Sequence, residues 1–166
     1  DRVPFTIVHQ EMGFLVVHKP AGVVTQPGIK HRHDALLNGL FAHFGHCLQN
    51  LGKVRDFGLI HRLDRPTSGL LVIGLQQAAY DGIRRQFEQR KVKKTYLAVV
   101  HGVPQPSKGR ETTPISERRI KGSKRALIGQ GRGSQGAVTD FEVLVHSKTH
   151  SLVKCHPQTG RLHQIR

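Results

Sequence analysis

Gly69-Leu70-Leu71-Val72-Ile73-Gly74 is a continuous apolar run with a glycine at each end. A run so short, without polar alternation, reads as a buried strand and not as a helix. Such a strand cannot stand alone, so the rest of the chain must supply pairing partners and a covering layer. Residues 5–8 and 14–17 read as two short strands, joined by a turn at Glu11-Met12-Gly13. Asp34 has the character of a helix N-cap. Leu36, Leu37, Leu40, Phe41 and Phe44 follow at helical spacing, and Gly45 closes that helix. Residues 46–57 lack periodicity and read as a loop. Residues 76–90 read as a second helix with Ile83 and Phe87 on one face.

Residues 94–100 alternate as a strand, with Tyr96, Ala98 and Val100 on one face and Thr95, Leu97 and Val99 on the other. Residues 104–109 form a Pro/Gly/Ser connector, 115–120 a strand, 121–136 a mobile basic loop, and 137–145 and 152–155 two more strands. Gly160 opens an expected helix at the end of the sequence. Strands outnumber helices and hairpins are plausible. The pattern predicts an α+β fold, a mixed and mostly antiparallel sheet with flanking helices, in one domain over residues 1–166.

The chain carries 26 Lys and Arg against 11 Asp and Glu, a formal charge of +15. A charge that large repels itself, and its usual use is attraction to phosphate in nucleic acid or at an anionic membrane. No apolar run approaches the ~20 residues of a membrane span. No basic amphipathic helix with a broad apolar face appears, so the charge reads as a track for folded RNA and no membrane is expected. No signal-peptide pattern opens the sequence. Cys47 and Cys155 are too few for a disulfide framework and fit a reduced, cytoplasmic protein with two inert thiols. The 12 histidines include His31 with His33, His43 and His46 with Cys47, and His156 with Cys155. None has zinc-site spacing, so no metal is expected, and no glycine pattern matches a P-loop or a dinucleotide fingerprint. A monomer is the default for an enzyme of this size.

Three segments carry residues suited to chemistry. In His61-Arg62-Leu63-Asp64-Arg65-Pro66-Thr67-Ser68-Gly69, a carboxylate sits between two arginines directly before the apolar strand. Asp64 there suits a nucleophile or a base, and equally a surface turn screened by Arg62 and Arg65. In Lys94-Thr95-Tyr96, a Tyr amid aliphatic neighbours can stack on a nucleobase or fill a core. In Thr159-Gly160-Arg161-Leu162-His163-Gln164-Ile165-Arg166, the glycine permits a close backbone approach. Arg161 there suits phosphate and Arg166 an inward carboxylate. The plainer reading is a solvated basic helix start.

Together these segments resemble the RluA-type pseudouridine synthases. His61 to Leu71 looks like the family signature. His18-Lys19-Pro20-Ala21-Gly22 resembles the first motif, with His18 where Asn or Asp is common. Lys94-Thr95-Tyr96-Leu97-Ala98 is similar to the Lys-x-Tyr-x-Ala strand. Ala137-Val138-Thr139-Asp140-Phe141 and the last eight residues also fit in order, with Leu162 where Thr is common.

The resemblance implies a pseudouridine synthase fold with a central active-site cleft. It implies isomerisation of uridine to pseudouridine in structured tRNA or rRNA, without cofactor or metal. Asp64 would be the catalytic aspartate. Tyr96 would stack on the uracil and take the proton from the sugar C2′, and Arg166 would pair with Asp64. Arg62 would fill the RNA helix where the target base leaves. His61, Arg65, Lys94 and Arg161 would complete the RNA contacts. Domains of this family continue past the His-Gln-Ile-Arg segment, so the resemblance implies a catalytic domain whose C-terminal part is missing, with no S4 domain in this chain. Two rival readings of the same residues are a non-catalytic basic RNA-binding module and a nucleoside glycosidase.

Overall fold

The computed structural model describes residues 3–120, 123–129, 131 and 133–166. They divide into two compact units, Asp1–Gln89 and Arg90–Arg166.

The first unit is built on a three-stranded antiparallel sheet in the order β1 (Thr6–Gln10), β2 (Phe14–Lys19), β3 (Gly69–Gly74). Leu15 pairs with Ile73 and Val17 with Leu71, and all four side chains are buried on one face. The other face is covered in part: Leu70 is 54% exposed, while Val72 packs against the cluster of Leu51, Ile60 and Tyr80. Helix α1 (Leu36–Leu51) adds Leu36, Leu37, Leu40, Leu48 and Leu51 to the core.

Helix α1 differs from its expected bounds at both ends. Ala35, not Asp34, is the N-cap. The Leu36 and Leu37 amides donate to the carbonyls of Val24 and Thr25, so backbone does the work of a capping side chain. Asp34 instead hydrogen-bonds the His31 ring at 2.7 Å. Gly45 does not stop the helix. The chain bends at Phe44 (φ −126°, ψ 20°) and continues, because Leu48 and Leu51 are buried further along. That burial outweighs the roughly 1 kcal/mol that an internal glycine costs. The rest of the expected loop is a 3-10 segment, Lys53–Gly58. Gly58 has φ +88°, and a Cβ there would lie 2.4 Å from the Gly74 carbonyl oxygen, so only glycine fits. Helix α2 (Gln77–Glu88) turns Tyr80, Ile83 and Phe87 toward Leu51 and Ile60. Arg55 forks onto Asp81 at 2.9 and 3.0 Å and ties the 3-10 segment to α2.

The second unit holds a four-stranded antiparallel sheet in the order β4 (Tyr96–His101), β9 (His150–Pro157), β8 (Thr139–His146), β5 (Lys108–Glu111). It also holds a separate hairpin of β6 (Ile115–Ile120) and β7 (Ser123–Ile128). Alternation in β4 is as expected: Leu97 and Val99 are exposed, while Tyr96, Ala98 and Val100 are partly covered. Strand β5 falls partly in the expected connector. It has no apolar alternation, and is held as an edge by pairing with β8 and by Arg110 on Asp140. Strand β7 occupies part of the expected mobile loop. Of that loop, Lys121, Gly122, Gln130 and Arg132 lie outside the described residues. The α+β class with antiparallel sheets is as the sequence predicts.

Candidate functional site

The candidate residues fall into two groups, one on each unit. In the first, the segment from Leu59 to Ser68 starts along the edge of β3. Leu59 bridges to Ile73, and the Val72 amide donates to Nε2 of His61 at 3.1 Å. The His61 ring stacks on Phe87 with centroids 4.6 Å apart. Arg84 donates through Nη1 to the Ile60 carbonyl at 3.0 Å. Thr25 is buried, donates its hydroxyl to the Leu63 carbonyl at 2.8 Å and accepts the Leu63 amide at 3.3 Å. Asp64 opens a turn closed by the Thr67 amide on its carbonyl at 3.1 Å. On its far side Arg65 exchanges two hydrogen bonds with Gly22, one of them from Nε to the Gly22 carbonyl at 3.0 Å.

Lys19, at the end of β2, joins these parts. Its residue is fully buried, and Nζ donates to the carbonyls of Val23 at 2.7 Å, Pro20 at 3.0 Å and Arg65 at 3.4 Å. Burial lowers its pKa, and the negative charge of Asp64 works against that lowering. A buried cation is costly unless its protons are satisfied. Here they are satisfied by the Pro20 and Val23 carbonyls of the loop after β2 and by the Arg65 carbonyl next to Asp64. Asp64 itself is partly buried, and Arg62 and Arg65 are exposed beside it.

In the second group, Tyr96 begins β4 opposite Cys155 of β9. Cys155 is a free, buried thiol whose pKa is pushed up by that burial, and Cys47 is also free. Lys94 donates to the Thr159 carbonyl at 3.2 Å, and burial lowers its pKa, with Arg90 acting in the same direction.

The last segment is not the expected helix. His163 has φ +54°, a left-handed conformation that stops helix propagation. Two turns replace it, Gln164 N to Arg161 O at 3.2 Å and Arg166 N to His163 O at 2.9 Å. Arg161 donates through Nε to the Gly136 carbonyl at 3.0 Å.

Sequence reasoning gave no role to Lys19, Thr25, Arg84 or Gln164, although Lys19 and Gln164 stand inside quoted motifs. The one available signal was a lysine after an alternating strand, at a position that should be buried. Among the described residues no three His, Cys, Asp or Glu side chains gather as a metal site. No helix among them is long and apolar enough to cross a membrane.

A sequence model of the family described as RNA pseudouridylate synthase matches residues 13–166. The chain is 35% identical over 164 residues to "Ribosomal large subunit pseudouridine synthase D" of Zymomonas mobilis, covering 99% of this chain and 51% of that protein. It is 39% identical over 160 residues to the protein of the same name in Neisseria meningitidis, covering 96% of this chain and 41% of that one. Among solved structures, human RNA Pseudouridylate Synthase Domain Containing 1 superposes with TM-score 0.75 at 31% identity, over 99% of this chain and 63% of that one. The chain thus spans about half the length of the curated relatives it matches.

Proposed function

The chain belongs to the RNA pseudouridylate synthase family, and on that premise we propose that it isomerises uridine to pseudouridine in structured RNA, with Asp64 as the catalytic carboxylate. The observation that carries this reading is the Asp64 loop. Its backbone is tied to Lys19, Gly22, Thr25 and Arg84, a rigid mount for one carboxylate flanked by exposed arginines. Phosphate binding alone needs no such carboxylate.

The reaction breaks the bond from C1′ to N1 of uracil, turns the base in place, and forms a bond from C1′ to C5. The hydrogen on C5 leaves to water and N1 takes up a proton, so the change is redox-neutral and consumes no second substrate. A carboxylate at the sugar either stabilises positive character as the first bond breaks or adds covalently. By family resemblance, Tyr96 stacks on the uracil and takes the C2′ proton, and Arg166 is the cationic partner of Asp64. Arg62, with His61, Arg65, Lys94 and Arg161, is assigned to the RNA side, with Arg62 occupying the helix where the base has left.

Ribosomal RNA of the large subunit is the favoured substrate, from the names of the bacterial relatives. The basic hairpin β6–β7 favours a polyanion in the same way. Arg118 stands directly opposite Arg125, a like-charge pairing that phosphate would screen, and Arg119 stands opposite Lys124, which is ion-paired with Glu117 at 3.0 Å. A cytoplasmic, monomeric enzyme fits this reading.

The test is Asp64→Ala in the intact protein, assayed by tritium release from a large-subunit rRNA transcript labelled at uridine C5. Loss of at least ~1,000-fold in rate with RNA binding retained is expected for a nucleophile or principal charge stabiliser. Unchanged release overturns Asp64 as the catalytic group. Free uracil with an abasic site would show a glycosidase, and tight binding without product a plain RNA-binding module.

A further inference from the structure

In the terminal segment that carries Arg161 and Arg166, one side chain makes four hydrogen bonds that link the segment to itself and to the start of β8. Gln164 Oε1 accepts from the Thr159 hydroxyl at 2.8 Å and from the Arg161 amide at 2.9 Å. Its Nε2 donates to the Val138 carbonyl at 3.0 Å and to the Thr139 hydroxyl at 2.9 Å. Both amide donors and both acceptor positions are used, and their pattern sets which end is oxygen. Thr159, itself buried, returns the connection by accepting the Val138 amide at 2.9 Å.

What this knot opposes is visible in the backbone. The chain reverses at His163 in a left-handed conformation that a non-glycine residue adopts only at a cost. The segment has no helix to hold it, and Leu162, His163 and Ile165 are only partly covered. Beside Gln164, the Thr159 hydroxyl accepts the Val138 amide and the Arg161 guanidinium donates to the Gly136 carbonyl, one bond each where Gln164 makes four.

We propose that Gln164 is a positioning residue for Arg166: its side-chain amide fixes the turn from which Arg166 departs, and so fixes where that guanidinium stands during the reaction. The proposal rests on the reading of Arg166 as the partner of the catalytic carboxylate. All four hydrogen-bonding positions of the Gln164 amide go to protein partners. It acts through the geometry of the residue two positions on, where a displacement of about 1 Å can cost on the order of 100-fold in rate.

The experiment is a double-mutant cycle in the intact protein, with Gln164→Met, Arg166→Lys and the pair, read by single-turnover tritium release from the same labelled rRNA transcript. Gln164→Met is expected to lower the rate of the chemical step by about 10-fold to 100-fold, with the RNA concentration for half-saturation unchanged. In the Arg166→Lys background it should cost less than ~2-fold, since the residue it positions is already altered.

Losses that multiply in the double variant overturn the proposal, as does a weakened RNA affinity with an unchanged chemical step. An Arg166→Lys protein of full activity overturns the premise instead, and is told apart because that single variant reports on Arg166 alone. Should Gln164→Met fail to fold, Thr139→Val removes just one of the four bonds. It should show a smaller loss that likewise vanishes in the Arg166→Lys background, and a loss that persists there overturns the proposal.

Discussion

The Asp64 loop and the Arg166 turn are both irregular backbone, and they are held in opposite ways. The Asp64 loop is tied by Lys19, Thr25, Arg84, Gly22 and the stacked His61–Phe87 pair, which come from several elements and converge on main-chain atoms. The chain leading into it runs along the edge of β3, where Leu59 bridges to Ile73 and His61 accepts the Val72 amide. The Arg166 turn has Gln164 at its centre, bonded to Val138, Thr139, Thr159 and Arg161, with Thr159 on Val138 and Arg161 on Gly136 beside it. The first arrangement spreads its bonds over several side chains, and the second concentrates four on one amide. A loop with many anchors tolerates the loss of one of them, whereas removing an amide that makes four bonds at once shifts the turn it holds.

That contrast is open to attack from its strong side. Lys19→Met should be the largest single loss in the first unit, about 2–4 kcal/mol, because it leaves three backbone carbonyls without their shared donor. Denaturant unfolding measures it. A loss below about 0.5 kcal/mol would mean that the lysine is not a junction at all. Thr25→Val should cost less, about 1–2 kcal/mol, since the Leu63 amide and carbonyl lose one partner while the neighbouring ties remain. Its rate of tritium release should stay within a few-fold of the parent. A collapse of activity with stability retained would show that redundancy does not protect this loop.

The smallest effect is expected at Asp81→Asn. Arg55 hydrogen-bonded to Asp81 holds that carboxyl below the usual carboxylate range in the folded protein. Its contribution is present at pH values above the unfolded carboxylate value and is lost as pH falls through the lower folded value. The variant should therefore melt slightly below the parent at pH 7, with the gap closing in acid. A gap that is the same at every pH would assign the effect to packing.

The legible parts of this protein were those with a repeating pattern. The run at residues 69–74, the alternation of β4 and the apolar spacing in α1 and α2 all announce their elements, because burial selects residue type at the period of the backbone. The parts that were not legible depend on neighbours distant in sequence. Helix α1 passes Gly45 because Leu48 and Leu51 have a core to enter. Strand β5 exists because β8 offers an edge to Lys108–Glu111. The expected helix after Gly160 is replaced by two turns through a left-handed His163, with the Gln164 side chain reaching Val138 and Thr139.

The same division holds for the chemistry. Five ordered motifs and a charge of +15 placed the chain in its family and singled out Asp64, because residue types that serve one reaction recur at set spacing. What each cation in those motifs does is a tertiary matter. Lys19 is a buried junction, Lys94 a tie to Thr159 and Arg161 a tie to Gly136, while Arg62 stands exposed. A lysine or arginine reads alike in a sequence whether its charge meets water, phosphate or a backbone carbonyl, and only the fold decides which of the three is within reach.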